Sequence, residues 1–248
     1  MKSMTKLMVV AVVALLAAAL VVAPAAAREI NSTGTIVYVG EENLKFNTTD
    51  TSGDFTGAGE ITKLVFFSDQ TAEKTIIINP NDFELKKSDV GTKTGAYYIF
   101  NKTAPLTEKK YAVGTVEIQN PSVTLDVMLA KGGRKDSVDG KSITRNDKLF
   151  FKLENNLHGF KTLTGPKYNM SIDVTLPGGG VTNVPFGEDL KENIDVNGTT
   201  YESPDLKLTN AEAGTYTAIA KWPSGSDFYG KGFDSNTVTF EVLTKALA

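Results

Sequence analysis

The sequence contains no cysteine and only one histidine. Without cysteine the chain cannot form disulfides, thioether-linked haem, a Cys-ligated zinc site or a thiol nucleophile. The histidine, His158, lies beside a glycine in the segment ENNLHGF, and no G-x-S-x-G motif occurs in the chain. A serine or cysteine hydrolase triad is therefore excluded, and His158 is interpreted as a turn residue.

The chain also lacks an excess of basic residues. It has 26 Lys and Arg against 29 Asp and Glu, for a formal charge of −3. Loss of Lys2 and Lys6 with the leader described next would make the charge −5. Binding to nucleic acid needs clustered Lys and Arg that neutralise phosphates, so we expect no nucleic-acid partner.

Residues 1–27 have the features of a secretory signal peptide. Two lysines precede an uninterrupted apolar run over 7–22, and Pro24 is followed by Ala25 and Ala27 in A-x-A spacing, which predicts cleavage near Ala27. The alternative is an uncleaved anchor, because the run approaches the ~20 residues that span a bilayer. Cleavage leaves 221 residues (248 less 27) with no second apolar span, so we expect a secreted or cell-surface protein without a membrane span.

Alternation of apolar and polar residues recurs along the chain and predicts an all-β fold. The segments between the alternating runs are rich in Gly, Asn and Pro, the residues of turns. The predicted strands are 35–39, 61–67, 75–79, 96–100 and 111–118, followed by the alternating runs 123–129, 170–176, 216–222 and 238–242.

A boundary near Gln119 to Pro121 divides the chain into two predicted β-sandwich-like domains, 28–119 and 120–248. The segment LTNAEAGTYTAIAKW near the end of the second domain favours an immunoglobulin-like layout, because a Gly-x-Tyr at the start of a late strand is typical of a tyrosine corner. Tyr216 would hold this corner, and Trp222 would lie in the core.

Carboxylates occur in two patterns that bear on chemistry. Glu41 and Glu42 are adjacent, so on a strand their side chains would face opposite sides and could not share a substrate. With Gly40 before them, we interpret the pair as a solvated turn. Glycine-containing loops hold Asp50 with Asp54 and Asp136 with Asp139. They are weak candidates for a calcium site and do not fit the EF-hand pattern.

Two further features suggest surface functions. The loop GSDFYGKGF carries three aromatic residues that could dock a neighbouring subunit, stack on a sugar or fold onto their own domain: Phe228, Tyr229 and Phe233. The motif N-x-S/T, an acceptor for N-glycosylation when x is not proline, occurs at Asn31, Asn47, Asn101, Asn169 and Asn197.

Several of these stretches resemble, in the same order, the cell-surface proteins of methanogenic archaea. The stretches are GTIVYVGEENLKF, INPNDFELKKSDVGTKTGAYYIFN, IQNPSVTLDVMLAKGGRKDSVDGKSITRNDKLFFKLENNL, GTYTAIAKW and DSNTVTFEV. In that family a secreted β domain of unknown function precedes an immunoglobulin-like domain. The resemblance implies a building block of a surface layer or of the tubular sheath of filamentous methanogens, and glycosylation of exported proteins in those organisms gives the sequons a use.

We therefore expect a non-enzymatic structural protein that polymerises with copies of itself and also contacts other envelope proteins or glycans. Unpaired edge strands within 28–46 and 235–243 are the predicted contacts, since an open edge can accept a further strand. The alternative is a secreted carbohydrate-binding or adhesive module that uses the aromatic loop. No cofactor is expected, apart from the possible calcium.

Overall fold

The computed structural model describes residues 27–48, 53–55, 58–131, 136–163, 166–191 and 194–244. These residues form an almost entirely β structure, which confirms the predicted fold class. No helix within them is long and apolar enough to cross a bilayer. The predicted leader lies outside the described residues apart from Ala27.

Strands of two to eight residues make up the described chain, together with one short α-helix and several 3₁₀ turns. The strands are β1 (Arg28–Ile30), β2 (Thr35–Tyr38), β3 (Leu44–Phe46), β4 (Ile61–Ser68), β5 (Thr71–Ile77), β6 (Gly95–Asn101), β7 (Gly114–Gln119), β8 (Val123–Leu129), β9 (Ser142–Thr144), β10 (Lys148–Asn155), β11 (Asn169–Thr175), β12 (Val181–Thr182), β13 (Ile194–Asp195), β14 (Tyr201–Glu202), β15 (Leu206–Lys207), β16 (Gly214–Lys221) and β17 (Thr237–Leu243). The helix is α1 (Lys87–Val90), and the 3₁₀ turns are Lys109–Tyr111, His158–Phe160, Pro166–Tyr168 and Pro185–Gly187.

The N-terminal half (residues 27–119) is built on a five-stranded sheet in the order β2-β7-β6-β4-β5. Strand β2 pairs parallel with β7, and the other neighbours are antiparallel. One face of this sheet buries alternate residues such as Leu64, Tyr97 and Ile118 against the parallel pair β1-β3 and the segment around α1. The period-two alternation read from the sequence is the pattern that one buried face requires.

The C-terminal half (residues 120–244) is a sandwich of two sheets. One sheet contains β8, β10, β14 and β15, and the other has the order β12-β11-β16-β17-β9, with β13 also paired to β11. Their facing side chains form one hydrophobic core. The chain crosses between the two sheets several times, as in an immunoglobulin-like sandwich: β8 and β10 lie in one sheet, and β9 and β11 lie in the other.

The tyrosine corner lies where it was predicted. The Tyr216 hydroxyl donates a hydrogen bond to the Glu212 carbonyl at 2.9 Å, which ties the start of β16 to the preceding loop. Trp222 is 2 % exposed, and its indole N–H donates to the Phe233 carbonyl. Both residues are therefore parts of the core.

Strand β10 was not among the predicted strands, although it is central to its sheet. Its sequence, KLFFKLEN, has three consecutive buried residues, Leu149, Phe150 and Phe151. Burial on both faces removes the alternation on which the other predictions depended.

The bounds of two predicted strands differ from those in the structure. The predicted strand 75–79 is β5 over Thr71–Ile77, and the predicted strand 111–118 begins at Gly114, after a 3₁₀ turn.

The predicted open edge within 235–243 is wrong, because β17 is paired on both sides. It is antiparallel to β16 and parallel to β9. Where β9 does not reach, Gly140 N–H donates to the Thr239 carbonyl at 2.7 Å, and Asp139 Oδ1 accepts the Thr239 N–H at 2.9 Å. The segment around Asp139 therefore covers the edge of β17.

The outer edge of β8 is covered in a similar way. The Asn236 side chain accepts the Leu125 N–H and donates to the Leu125 carbonyl, both at 2.9 Å. Further along β8, Val138 N–H donates to the Val127 carbonyl. Polar side chains and short segments thus occupy edge groups that would otherwise accept a further strand.

We predict that Asp139→Ala lowers the free energy of unfolding by about 1 kcal/mol, because the Thr239 N–H loses its acceptor. Asp136→Ala is the matched control, because Asp136 accepts the Leu129 N–H through its backbone carbonyl, which the substitution keeps. Urea unfolding should give the same loss for Asp139→Ala in chelator and in calcium. A loss seen only in calcium would instead assign Asp139 to a metal site.

Candidate functional site

The segment with Glu41 and Glu42 forms the predicted turn, but its solvation was predicted wrongly. Glu41 N–H donates to the Tyr38 carbonyl at 3.1 Å, and Gly40 has a φ of 99°. Glu42 is partly exposed, whereas Glu41 is only 1 % exposed. The physical reason is an ion pair with Arg28, which is also buried.

This ion pair also closes the outer edge of β2. Val39 N–H donates toward β7, so by alternation the backbone groups of Ile36 and Tyr38 point away from β7. Arg28 Nη2 donates to the Ile36 carbonyl at 2.6 Å, and Glu41 Oε2 accepts the Tyr38 N–H at 2.7 Å. The predicted open edge within 28–46 is therefore occupied by side chains of the same segment.

The cluster formed by Arg28, Glu41 and Tyr38 also joins the N-terminal half to the C-terminal half. The Tyr38 hydroxyl donates to the Asn156 carbonyl at 2.9 Å and accepts the Gly159 N–H at 3.0 Å. The Tyr38 ring meets the edge of Phe160, with centroids 4.9 Å apart. A Cβ at position 159 would lie 3.0 Å from the Ile36 carbonyl oxygen, so this close approach of the backbones favours glycine.

A second polar contact between the halves lies beside the first. Lys231 Nζ donates to the Gly40 carbonyl at 2.8 Å and pairs with Glu42 at 2.5 Å and Glu84 at 3.2 Å. Asp227 accepts the Glu42 N–H at 3.0 Å. The adjacent carboxylates Glu41 and Glu42 are thus each paired with a cation of the protein.

The electrostatics of the cluster follow from its burial. Burial raises the pKa of Glu41, although the Arg28 charge and the Tyr38 N–H oppose this rise. Burial also raises the pKa of Tyr168, which lies near Glu41, to about 12. Burial lowers the pKa of Lys231, but its hydrogen bonds with Glu42 and Glu84 outweigh this, so the pKa is raised. The arrangement supports holding the two halves together rather than acid–base chemistry on a substrate.

The three aromatic residues of the 228–233 loop are not equally accessible. Phe228 is 1 % exposed and packs on Trp222, with centroids 4.7 Å apart. Phe233 is partly buried and contacts Phe228. Tyr229, by contrast, is 59 % exposed. Phe228 is therefore a core residue and cannot stack on a ligand in this conformation, while an assembly or ligand role for Tyr229 stays a prediction.

Two of the four predicted calcium residues make hydrogen bonds through their side chains within the described chain, and calcium binding stays a prediction. Asp54 accepts the Thr33 N–H at 2.8 Å, and Asp139 covers β17 as described above. Asp50 lies outside the described residues. Within the described ranges no group of three His, Cys, Asp or Glu side chains is arranged to hold a metal ion.

All five predicted glycosylation residues are partly exposed, namely Asn31, Asn47, Asn101, Asn169 and Asn197. Asn101 Nδ2 donates to the Ala58 carbonyl at 2.9 Å, and Asn197 Oδ1 accepts the Thr199 hydroxyl at 2.6 Å. Glycan occupancy at these positions stays a prediction.

The open edge that the sequence reading missed is β5. Ile78 N–H donates to the Thr62 carbonyl at 2.9 Å, so by alternation Thr75 and Ile77 direct their backbone groups away from β4. No other segment of the described chain hydrogen-bonds to these outward groups. Ile77 is 69 % exposed. The edge strand β5 is therefore the candidate site for joining another chain.

A bulge limits this edge toward its N-terminal end. Phe66 is opposite Lys74 and Phe67 is opposite Ala72, so Glu73 is the extra residue. Glu73 is paired with Lys93 at 2.5 Å. The sequence did carry a signal for the exposure of Ile77: in the run Ile76, Ile77, Ile78 the middle side chain must face away from its neighbours.

We predict that Arg28→Met lowers the free energy of unfolding by about 3 to 5 kcal/mol, because it leaves the Glu41 charge buried and unpaired. The double variant Arg28→Met, Glu41→Gln should recover part of this loss, since Gln still accepts the Tyr38 N–H without a charge. Urea unfolding at neutral pH measures both. Lys102→Met, which breaks an exposed ion pair with Glu60, is the control and should change little. If the single and double variants lost the same free energy of unfolding, Arg28 would not be the residue that compensates the buried Glu41 charge.

Comparison with known proteins gives one family and a distant structural likeness. The family model described as a domain of unknown function (DUF3821) matches residues 33–242. A search of curated proteins gives no match. Among solved structures, the Bacteroides ovatus mixed-linkage glucan utilization locus protein SGBP-B, in complex with a mixed-linkage heptasaccharide, is 14 % identical with a TM-score of 0.23. That comparison covers 90 % of this chain and 47 % of that chain, so the chain spans less than half the length of SGBP-B. Because the family match extends over residues 33–242, the chain belongs to the family described as a domain of unknown function, DUF3821.

Proposed function

We propose that this protein is a non-enzymatic structural subunit of an archaeal cell envelope, a surface layer or sheath, and that it joins to copies of itself through the edge strand β5. The observation that carries the proposal is the outward direction of the backbone groups of Thr75 and Ile77, combined with the 69 % exposure of Ile77. The leader predicted over 1–27 supports export, and the resemblance stated above supports the envelope.

The contrast with the other strand edges supports this assignment. The edge of β2 is closed by Arg28 and Glu41, that of β8 by Asn236, and that of β17 by β9 and Asp139. Compared with these three covered strands, the seven-residue β5 has outward backbone groups without a partner in the described chain, which favours β-augmentation there. A joining chain would hydrogen-bond to Thr75 and Ile77 and cover the Ile77 side chain.

The rigid connection between the halves also suits a structural role. Arg28, Tyr38 and Lys231 each contact both halves through hydrogen bonds. A load applied to β5 in the N-terminal half would therefore pass to the C-terminal sandwich through several short polar contacts. Backbone hydrogen bonding and burial replace the disulfides that the sequence excludes.

Pairing of β5 with β5 of a second copy would be two-fold symmetric and would close after two copies. A continuous layer needs a second contact as well. The exposed Tyr229 on the loop tip of the C-terminal half is the candidate for that contact. A carbohydrate-binding or adhesive module remains the alternative function, with Tyr229 as the accessible aromatic of the predicted loop.

We predict that Thr75→Pro and Ile77→Lys each prevent polymer formation by the processed chain, 28–248. Proline removes an outward N–H without breaking the hydrogen bonds between β5 and β4. A charged lysine on an edge strand disfavours pairing with a further strand. Thr75→Val keeps the N–H and is the matched control, so it should polymerise like the unaltered chain. Negative-stain electron microscopy and sedimentation velocity over a concentration series measure assembly.

Thermal unfolding should show that all three variants stay folded. Unchanged polymers built from folded Thr75→Pro would overturn the β5 assignment, and a monodisperse unaltered chain at every concentration would overturn self-assembly. Proline at Val238 or Phe240 would not be informative, because β17 is an internal strand and its loss would disrupt the core.

A further inference from the structure

We infer that the C-terminal half contains a saccharide-binding cleft between the Pro185–Gly187 turn and the loop that precedes β16. The cleft has a volume of about 580 Å³ and is open to solvent. Phe186 contributes an aromatic surface, and the side chains of Lys207, Asn210 and Glu212 are at the rim. Every lining residue lies between Leu176 and Tyr216, so this site is separate from β5 and from the 228–233 loop.

The aromatic surface is held in place by packing and by an unusual backbone conformation. Phe186 has φ 54° and ψ 21°, in the left-handed region that bulky residues rarely adopt. Its ring is partly exposed and lies 5.5 Å from the Tyr216 ring, which in turn stacks on Phe240 at 5.4 Å. Backbone strain of this kind is found at ligand sites, where the surrounding structure maintains it.

The rim provides polar groups that the protein itself does not use. Lys207, Asn210 and Glu212 are exposed, and none of their side chains hydrogen-bonds or forms an ion pair with another residue of the described chain. Together they offer a cation, an amide that both donates and accepts, and a carboxylate. These groups line the same cleft as Phe186 and as Val184, which is 53 % exposed.

This combination favours a saccharide over other ligands. Sugar hydroxyls donate and accept hydrogen bonds, so they can satisfy all three rim groups, and the C–H face of a sugar ring can cover the Phe186 ring. Lys207 and Glu212 carry opposite charges, so together they give the cleft no net preference for an anion or a cation. An entirely apolar ligand would leave the polar rim groups without partners.

The inference is tested by calorimetric titration of the processed chain, 28–248, with hexasaccharides of β-glucan, mannan, chitin and galactan. Each titration is repeated with Ile77→Lys, which alters the proposed assembly edge and leaves the cleft intact. Because Ile77→Lys alters only the assembly edge, a loss of assembly can be distinguished from a loss of sugar binding. The variants Phe186→Leu and Asn210→Ala test the cleft, and Tyr229→Ala is the control for the other exposed aromatic.

We expect at least one hexasaccharide to bind, and Phe186→Leu to weaken that binding about tenfold, because it removes the aromatic face while keeping an apolar side chain. Asn210→Ala should also weaken it, and Tyr229→Ala should not. Thermal unfolding checks that each variant is folded. The proposal is overturned if no hexasaccharide binds, if folded Phe186→Leu and Asn210→Ala bind like the unaltered chain, or if Tyr229→Ala alone abolishes binding.

Discussion

The buried ion pair between Arg28 and Glu41 determines both where the N-terminal sheet ends and how the C-terminal half attaches to it. The same two side chains occupy the outward backbone groups of β2, and Arg28 also donates to the Gly159 carbonyl. Two buried charges are tolerated because each has a partner and further hydrogen bonds. Tyr38, at the end of β2, adds its hydroxyl to this contact and its ring to the core of the C-terminal half.

Elsewhere in the structure, polar side chains hydrogen-bond to the outward backbone groups of several strands. Carboxylate, guanidinium and amide side chains take the place of neighbouring strands at β2, β8 and β17. Such edges are the usual route to unwanted association. A protein that associates through one edge has a reason to cover the others, since each further open edge would permit a different and competing arrangement of copies.

The two proposed surfaces belong to different halves of the molecule. The β5 edge is part of the N-terminal sheet, and the cleft at Phe186 is formed by the C-terminal sandwich alone. The polar contacts at Tyr38 and Lys231 join the two halves that carry these surfaces. A subunit of this design can present a saccharide-binding face while its other half is engaged with further copies.

The sequence by itself determined the all-β class, the tyrosine corner at Tyr216 and the core position of Trp222, because alternation and turn residues act locally. It did not reveal β10, whose burial on both faces removes the alternation. Tertiary structure alone decided that Glu41 is buried, that Phe228 is core and that β17 is covered while β5 is open. Each of these depends on partners in other segments of the chain, such as Arg28 for Glu41, Phe160 for Phe228 and Asp139 for β17. Local patterns carry no information about which distant segment supplies a partner.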